Sequence, residues 1–569
     1  MLRKSALDIN EQNKIIVSWR VSFLIGALLG AFIFILIFGV KVLDVTYDDW
    51  LYRYEFDLTQ HYLGWRLFRA SEWHFPIGLG DTGMYPYLSS VIFTDSIPLF
   101  AVIFKIISPI LPAKFQYFGL FGIFSFMMQG GVAKLLLRKK VRNELICNIG
   151  AIFFVSCIAF VQRMFWQTAL SAHFLLLIAM LFYVYRPELK STKKRLFLWL
   201  ALGVLAVSIH IYLYGMVSVM LAGYALLEFL DNKSNIKRAV FLMMSYLSLY
   251  IMVTVVVFYT LGGFYGTVNL YDAGSGILSA GINSFIDPKG YSIFFSKGEY
   301  SDFQLESLCY IGIAVGILSA FSFVSIIHRI KDIVKNRKNE LIVYCILFVL
   351  FFVFAISPVV FCGDKLLFTM NIYPGFIVKN SWGIFRACGR FTWPIMYFII
   401  YIAITQSQHI LKKAYPVLLI VLMCFQLIEF SGYYISTHKT FNSFEPLNCP
   451  ADIFYNYDTS EYKHIQLMQN YTNLDFYSDL TCYYEMVGFS RLATDRNMTI
   501  SNFNYARNYY DVVQKQIDLC YSKLEAGKPD SDTLYVFPKD VYINSGYSGK
   551  FENVIELDTG YDIVLVPTK

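Results

Sequence analysis

Long apolar runs separated by short basic clusters set the pattern of this chain. Between Val21 and Val40 no charged residue occurs. A run of about 18 or more apolar residues is long enough to cross a bilayer as a helix. Further runs cover about 115–137, 145–162, 170–186, 195–211, 213–230, 239–261, 306–328, 341–361, 392–408 and 414–435. The pattern predicts an all-α polytopic membrane protein with about 11 transmembrane helices. Arg3, Lys4, Lys14 and Arg20 precede the first run. That run is too long, and too far from a small-residue cleavage site, to be a leader peptide. It reads as the first span, with the N-terminus cytoplasmic.

Basic clusters give the orientation. They lie at Arg138–Arg142, Arg186–Arg195, Lys233–Arg238, Arg329–Lys338 and Lys412–Lys413. With eleven spans all five fall on the cytoplasmic side, as the positive-inside bias expects. The apolar stretch Ile97–Leu111 is only 15 residues long, with Lys105 in its middle and Pro98 and Pro109 near its ends. Counting it as a span would move all five clusters outside, so it reads as an interfacial or re-entrant helix. The outer side then receives the loops 41–114, 262–305 and 362–391 and the tail 436–569. The division is a membrane domain over 1–435 and a small C-terminal α/β extracytoplasmic domain over 436–569. In the tail, Ala506–Ala526 has helical spacing, while Thr533–Phe537 and Asp562–Val566 read as strands.

Composition agrees. Of 569 residues, 56% are hydrophobic and only 16% charged, against about 25% charged in a typical soluble protein. Mean hydropathy is +0.50. Disorder, a fibre and a cytosolic enzyme are excluded. The net charge of +7 is no nucleic-acid signal, because the Lys and Arg sit between spans. Ten cysteines form no CxxC pair and no ligand-like spacing with His, so neither a zinc site nor a disulfide framework is indicated. Cys362 and Cys388 could pair across one outer loop.

The spans hold almost no ionisable residues; His173 and His210 lie near outer ends. Ion-coupled transporters place titratable groups at mid-membrane and often repeat broken helices, and neither pattern is present. Polar chemistry is concentrated in the first outer loop. Between Lys41 and Ser90 it carries Asp44, Asp48, Asp49, Glu55, Asp57, Glu72 and Asp81 among twelve aromatics. In DLTQHYLGWRLFR, helical spacing aligns Asp57, His61, Gly64/Trp65 and Phe68, with Arg66 and Arg69 flanking. An acid, an imidazole, a glycine notch and an aromatic plate suit sugar binding or proton abstraction. The commoner use of such a helix is interfacial, with Trp and Tyr at headgroup level and Arg reaching lipid phosphates. The adjacent Asp48 and Asp49 could hold a divalent cation, although such pairs are more often simply solvated.

A third feature is SWGIFRACGRFTWP, Ser381–Pro394. Arg386 and Arg390 are four apart and share a face if the segment is helical. Pro394 suits the first turn of the next span. Two guanidiniums beside a helix start would seat a phosphate or pyrophosphate; equally, they would snorkel to headgroups. Arg163, Trp166 and His173 surround the second outer loop, where an arginine could face a lipid phosphate or join an interfacial belt. Lys105 is open to the same two uses. Asp272, Asp287, Glu299 and Asp302 read as solvated acids.

This arrangement resembles the GT-C superfamily of membrane glycosyltransferases, which use polyprenyl-phosphate or -diphosphate sugars. The stretches DLTQHYLGW from Asp57 and WHFPIGLGD from Trp73 are similar to the first loop of a bacterial family associated with that superfamily. FTDSIPL at Phe93–Leu99, FQYFG at Phe115–Gly119 and FRACGRFTWP at Phe385–Pro394 add to the likeness. Together they cover about positions 45–400. A distant similarity extends to the transferases that decorate lipoteichoic acid, whose first loop has a comparable Asp-x-x-Gln stretch.

The resemblance implies a GT-C-like fold in the cytoplasmic membrane and an inverting transfer. Asp57 would be the general base by motif position, with Asp49 next in line. His61, Trp65, Arg66, Arg163, Arg386 and Arg390 would contact substrates. The donor would be a polyprenyl-phosphate sugar and the acceptor an envelope glycan, lipid or polymer, with a donor synthase and a flippase in the same pathway. The Asp/Glu pairs of better-known members are not reproduced cleanly, which leaves the base and any need for a divalent cation (Mg or Mn) open. The competing classes are a lipid-linked oligosaccharide transporter or flippase, an O-antigen polymerase or ligase, and a non-catalytic envelope protein whose tail binds a partner.

Overall fold

The computed structural model describes residues 17–52, 56–266, 274–295, 302–443, 449–470, 480–506 and 509–568. Arg3, Lys4, Lys14, Glu55, Asp272 and Glu299 lie outside the described residues.

Helix α1 (Trp19–Phe38) starts where the Ser18 hydroxyl accepts from the Val21 N–H, and stops at Gly39 with φ 79°. The first loop folds into α2 (Phe56–Ala70), the two-stranded pair β1 (Leu79–Gly80) and β2 (Ser89–Ser90), and the nine-residue α3 (Pro98–Ile106). Nine residues rise about 14 Å, so this apolar stretch cannot span a membrane. Next come α4 (Phe118–Arg138), α5 (Glu144–Val155), α6 (Ile158–Arg163), α7 (Phe174–Val184), α8 (Thr192–Ile209), α9 (Ile211–Asp231) and α10 (Ile236–Thr260). Beyond them, α11 (Ile313–Ile356) is followed by the antiparallel hairpin of β3 (Val359–Cys362) and β4 (Lys365–Thr369). The helical part closes with α12 (Gly375–Ser381), α13 (Trp393–Leu411), α14 (Tyr415–Glu429) and α15 (Ser431–Asn442).

Among the described residues, six helical stretches are long and apolar enough to cross a membrane. One of them, α11, is two helices joined at a kink, for Arg337 is non-helical at φ −138°, ψ 33°. Going in, Ser322 donates to the Ile402 carbonyl and Arg329 to Gln406. Coming back, Tyr344 packs on Phe398 and Phe351 on Phe391. Both halves therefore line α13, and the chain reverses within its own basic cluster. The predicted runs 145–162 and 170–186 are not continuous helices. The chain leaves α5 at Ser156, whose hydroxyl bonds back to the Ile152 carbonyl and whose own carbonyl takes the Tyr434 hydroxyl. It resumes as the six-residue α6, ending at Arg163.

Polar contacts gather the basic clusters at one end of the bundle. Lys139 pairs with Glu188, Arg186 with Asp231, and Asn339 donates to Asp231. Gln408 reaches the Lys140 carbonyl. The C-terminal sheet lies at the opposite end.

That sheet has the order β6-β5-β7-β9-β8. Strand β5 (His464–Leu467) runs parallel to β6 (Thr499–Ile500) and β7 (Thr533–Pro538); β9 (Asp562–Pro567) is antiparallel to both β7 and β8 (Val554–Asp558). Parallel neighbours need crossovers, supplied by α16 (Leu480–Asp495) and α17 (Tyr510–Glu525), with α18 (Lys539–Asn544) after β7. Every residue of β7 and β9 is buried. The β6 edge is covered by the first loop: Tyr85 N–H donates to the Ile500 carbonyl and Ile500 N–H to that of Thr82, which removes an open edge. Tyr85 also stacks on His464 at 3.9 Å.

Helices α1 and α4 meet through small residues. A methyl group at Gly30 would run into the Phe126 carbonyl, and one at Gly26 into that of Gly130, so the backbones touch as in small-xxx-small pairs. Gly30→Val should therefore cost about 1–3 kcal/mol through overpacking. Thermal unfolding in detergent would show it, against an unchanged Tm for a substitution at the exposed Leu28.

Candidate functional site

Four chain segments bring charge to one point at the end of the bundle that carries the C-terminal domain. Asp57 stands in the first turn of α2. Arg163 ends α6, and Gln167 follows it. A 3-10 turn, Asp302–Ser307, carries Glu306, and a second, Cys388–Thr392, carries Arg390. Gln167 is the hub. Its amide N–H donates to Asp57 Oδ2 at 2.7 Å, while its carbonyl accepts from Arg163 Nη1 at 2.7 Å and Arg390 Nη2 at 2.9 Å. Glu306 bridges the two arginines: Oε1 lies 3.1 Å from Arg163 Nη1 and Oε2 lies 2.6 Å from Arg390 Nε. The Arg390 guanidinium also covers the Tyr212 ring at 4.6 Å. Each of these five side chains, Asp57, Arg163, Gln167, Glu306 and Arg390, bonds at least one other member.

Burial sets the ionisation. It pushes the Asp57 carboxyl up, against the Gln167 hydrogen bond, and nearby Glu306 adds to the rise while both arginines oppose it. Burial acts on Glu306 in the same sense, but the Arg163 and Arg390 charges and hydrogen bonds win and hold it at about 2. His61 is pushed down to about 3 by burial and the Arg390 charge. With Asp57 ionised, two guanidiniums meet two carboxylates; with Asp57 protonated the cluster is left with one positive charge.

Around this core lies a second pair. His210 breaks the chain between α8 and α9, and its Nδ1 accepts from the Tyr212 N–H at 3.1 Å, so Nε2 carries the proton. Asp95 Oδ1 lies 3.5 Å from that Nε2. Asp95 and Ile97 both have left-handed backbones (φ 52° and 54°). Between them, Ser96 donates to the His61 carbonyl at 2.6 Å. Strain of this kind persists only where surroundings over-determine it. Gly64 supplies part of that, since a methyl there would strike the Thr94 and Ser96 side chains.

Of the residues singled out in the sequence, Asp57, His61, Arg163 and Arg390 come together. The others do not. Trp65 is wholly buried, with Nε1 donating to the Phe115 carbonyl at 3.0 Å and its ring against Tyr117. Arg66 points to the other side of α2, where it pairs with Asp495 at 2.7 Å and bonds the Tyr52 hydroxyl. Arg386 and Arg390 share no face, because Arg386 lies exposed ahead of the 3-10 turn while Arg390 is turned inward.

The metal candidates fare no better. Asp48 is buried and taken by the Tyr62 hydroxyl at 2.9 Å and by Lys114 at 3.6 Å, while Asp49 opens a 3-10 turn beside Tyr47. Among the described residues no group of three or more His, Cys, Asp or Glu could hold a metal.

Lys105 is buried against Phe68 and Trp73 and bonds Ser71 and the Glu72 carbonyl. His173 bonds the Tyr397 hydroxyl. Cys362 and Cys388 are unbridged. Gln167, Glu306, Asp95 and Tyr212 were not singled out; Asp95 lies inside the quoted FTDSIPL, and Glu306 was absorbed into the run 306–328.

A cluster of arginines and carboxylates at the end of an apolar helical bundle, roofed by an α/β domain, defines a membrane protein with a polar centre beneath its C-terminal domain. The chain belongs to the family described as "Domain of unknown function (DUF6311)", which matches residues 27–431, and residues 459–556 match the DUF6311 C-terminal domain. No curated protein matches it. Among solved structures it is similar to the oligosaccharyltransferase of Archaeoglobus fulgidus in the apo form. Identity is 11% and the TM-score 0.43, over 96% of this chain and 74% of that one.

Removing Glu306 leaves two buried guanidiniums facing each other. Glu306→Ala should cost about 3–5 kcal/mol, read as a lowered Tm in detergent, with Glu306→Gln milder because its carbonyl still accepts. A folded-state value of about 2, below the ordinary 4.5, means the stabilisation is complete above pH 4.5 and is lost as pH falls through about 2. The gap between wild type and Glu306→Ala should therefore stay constant from pH 5 to 8.

Proposed function

We propose that this protein is an integral-membrane inverting glycosyltransferase. It moves a sugar from a polyprenyl-phosphate donor to an envelope glycan, lipid or polymer on the outer side of the cytoplasmic membrane. The observation that carries the reading is the Asp57–Gln167–Arg163/Arg390 network, which sets one carboxylate of raised pKa beside two guanidiniums.

Inverting transfer needs a base on one side of the anomeric carbon and a stabilised leaving group on the other. Asp57 takes the acceptor hydroxyl's proton while that oxygen bonds to the anomeric carbon. The bond from that carbon to the phosphate oxygen breaks, and its electron pair leaves with the lipid phosphate. That anion needs cations rather than a general acid, and Arg163 and Arg390 supply them. Protonation of Asp57 raises the cluster's charge by one as the leaving group becomes more negative, so the two events assist each other. Gln167, bonded to the base and to both cations, fixes their separation. His61, neutral under ordinary conditions, and His210 with Asp95 would line the sugar side. An apolar cleft is lined by Met180, Met220, Phe348, Phe351, Pro394 and Phe398, with Pro394 four residues beyond Arg390 in the chain. It suits the first isoprene units of a donor tail.

The test compares envelope glycans of cells carrying wild type, Asp57→Asn or Asp49→Asn at matched expression, by mass spectrometry. Asp57→Asn should lose one surface decoration and accumulate its lipid-linked donor, with transfer down by about 10²–10⁴-fold, while Asp49→Asn keeps it. Unchanged glycans in Asp57→Asn would overturn the assignment. The acid limb of wild-type transfer should lie above 3.8, the ordinary aspartate value, because burial raises that of Asp57.

A further inference from the structure

The segment 359–381 lies between α11 and α13 and was read from the sequence as part of an outer loop. Its burial does not fit an element surrounded by water. A hairpin resting on a protein surface buries alternate residues, yet all five residues of β4 are exposed. The consecutive Leu366, Leu367 and Phe368 show 56%, 47% and 54% of their surface. Helix α12 buries none of its residues; Phe376 is 69% exposed, and Ile372 just before it 78%. A bare apolar strand with an unpaired edge is an aggregation hazard in water.

We infer that Val359–Ser381 is an interfacial element whose apolar side chains lie in the membrane leaflet on the domain-bearing side of the bundle. Continuity supports lipid as the occupant. The hairpin follows directly on the second half of α11, which exposes Phe348, Val349 and Leu350, so the lipid-facing surface of that helix runs on into it. The segment 274–295 braces the hairpin, with the Ile282 N–H on the Phe361 carbonyl and Asn283 Oδ1 on the Gly363 N–H. That brace itself exposes Ile277, Ile282 and Ile286.

Depth follows from the backbone. A two-stranded hairpin leaves edge N–H and C=O groups unpaired, which the hydrocarbon core does not allow, so the element rests at the boundary of headgroups and acyl chains. Lys365 and Lys379, both exposed, stand where they can reach anionic headgroups; Asp364 in the turn is the segment's sole acid. The element is tied to the polar centre, since Trp382 donates to the Phe354 carbonyl and Phe354 packs on Phe391 at 4.6 Å, next to Arg390. The inference does not depend on the transferase reading.

The test uses the full chain, with Cys345, Cys362 and Cys424 changed to Ser, in vesicles of phosphatidylcholine and phosphatidylglycerol. Part of the lipid carries a nitroxide near the headgroup. A bimane label is placed on Phe368→Cys or on Phe376→Cys, with Leu350→Cys as the lipid-facing reference and Ser548→Cys as the aqueous one. Both test labels should lose fluorescence to the nitroxide lipid nearly as strongly as the Leu350→Cys label and resist aqueous iodide. Quenching by iodide as at Ser548→Cys, without nitroxide quenching, would overturn the inference. So would shielding from both quenchers in a sample that cross-links as a dimer, which would assign the face to a second copy of the chain.

Discussion

Two guanidiniums and two carboxylates taken out of water at one end of an apolar bundle are the constraint around which this structure is arranged. A lone buried charge costs several kcal/mol even after relaxation, so none of Arg163, Arg390 or Glu306 is tolerable without the others. Four distant segments must meet for that balance to close: Arg163 and Glu306 are 143 residues apart and Arg390 lies 84 beyond Glu306. The break in α5–α6, the 3-10 turns at Asp302–Ser307 and Cys388–Thr392, and the tight turn at Asp95–Ile97 all deliver a polar side chain to this end. Regular helix through any of them would carry the residue elsewhere.

The C-terminal domain belongs to the same arrangement. Helix α2 shows Asp57 and His61 to the centre and its other side to the domain, where Gln60 donates to the Asn504 carbonyl and Arg66 pairs with Asp495. Asp495 is held in turn by the Tyr455 hydroxyl at 2.6 Å, and Arg491 lies over the Tyr52 ring at 4.7 Å. The helix bearing the acid is thus clamped between the bundle and the domain, and the domain's β6 edge is closed by the loop carrying that helix. An acid held from both sides keeps its place relative to Gln167 without help from a substrate.

Much of the scaffold is legible in the sequence because lipid is an unforgiving solvent: apolar runs become helices, and basic clusters collect at one end. The two strands expected in the tail fall within a residue of β7 and β9, while β5, β6 and β8 are not foreseen. What escapes is set by long-range contact. The break at Ser156 sits between two apolar stretches, and its carbonyl is taken by the distant Tyr434 hydroxyl. Glu306 hides at the edge of an apolar run, and its partners declare themselves only in three dimensions. Helical spacing puts Asp57 and His61 together correctly. The same spacing cannot tell that Trp65 is taken by the Phe115 carbonyl and Arg66 by Asp495. The four-residue step from Arg386 to Arg390 misleads because the local geometry is a 3-10 turn.

The proposed transfer rests on Asp57 as base next to an anion seat formed by Arg163 and Arg390. It is tested most directly with purified protein in vesicles given a short-chain prenyl-phosphate sugar and an acceptor glycan, measuring ligand binding and release of prenyl phosphate in the same samples. Asp57→Asn should bind the donor as wild type does but release almost no prenyl phosphate, whereas Arg390→Lys, which keeps a charge opposite Glu306 without the guanidinium fork, should stay folded and bind it more weakly. Unimpaired release by Asp57→Asn, or equal donor binding by wild type and a folded Arg390→Lys, would overturn it.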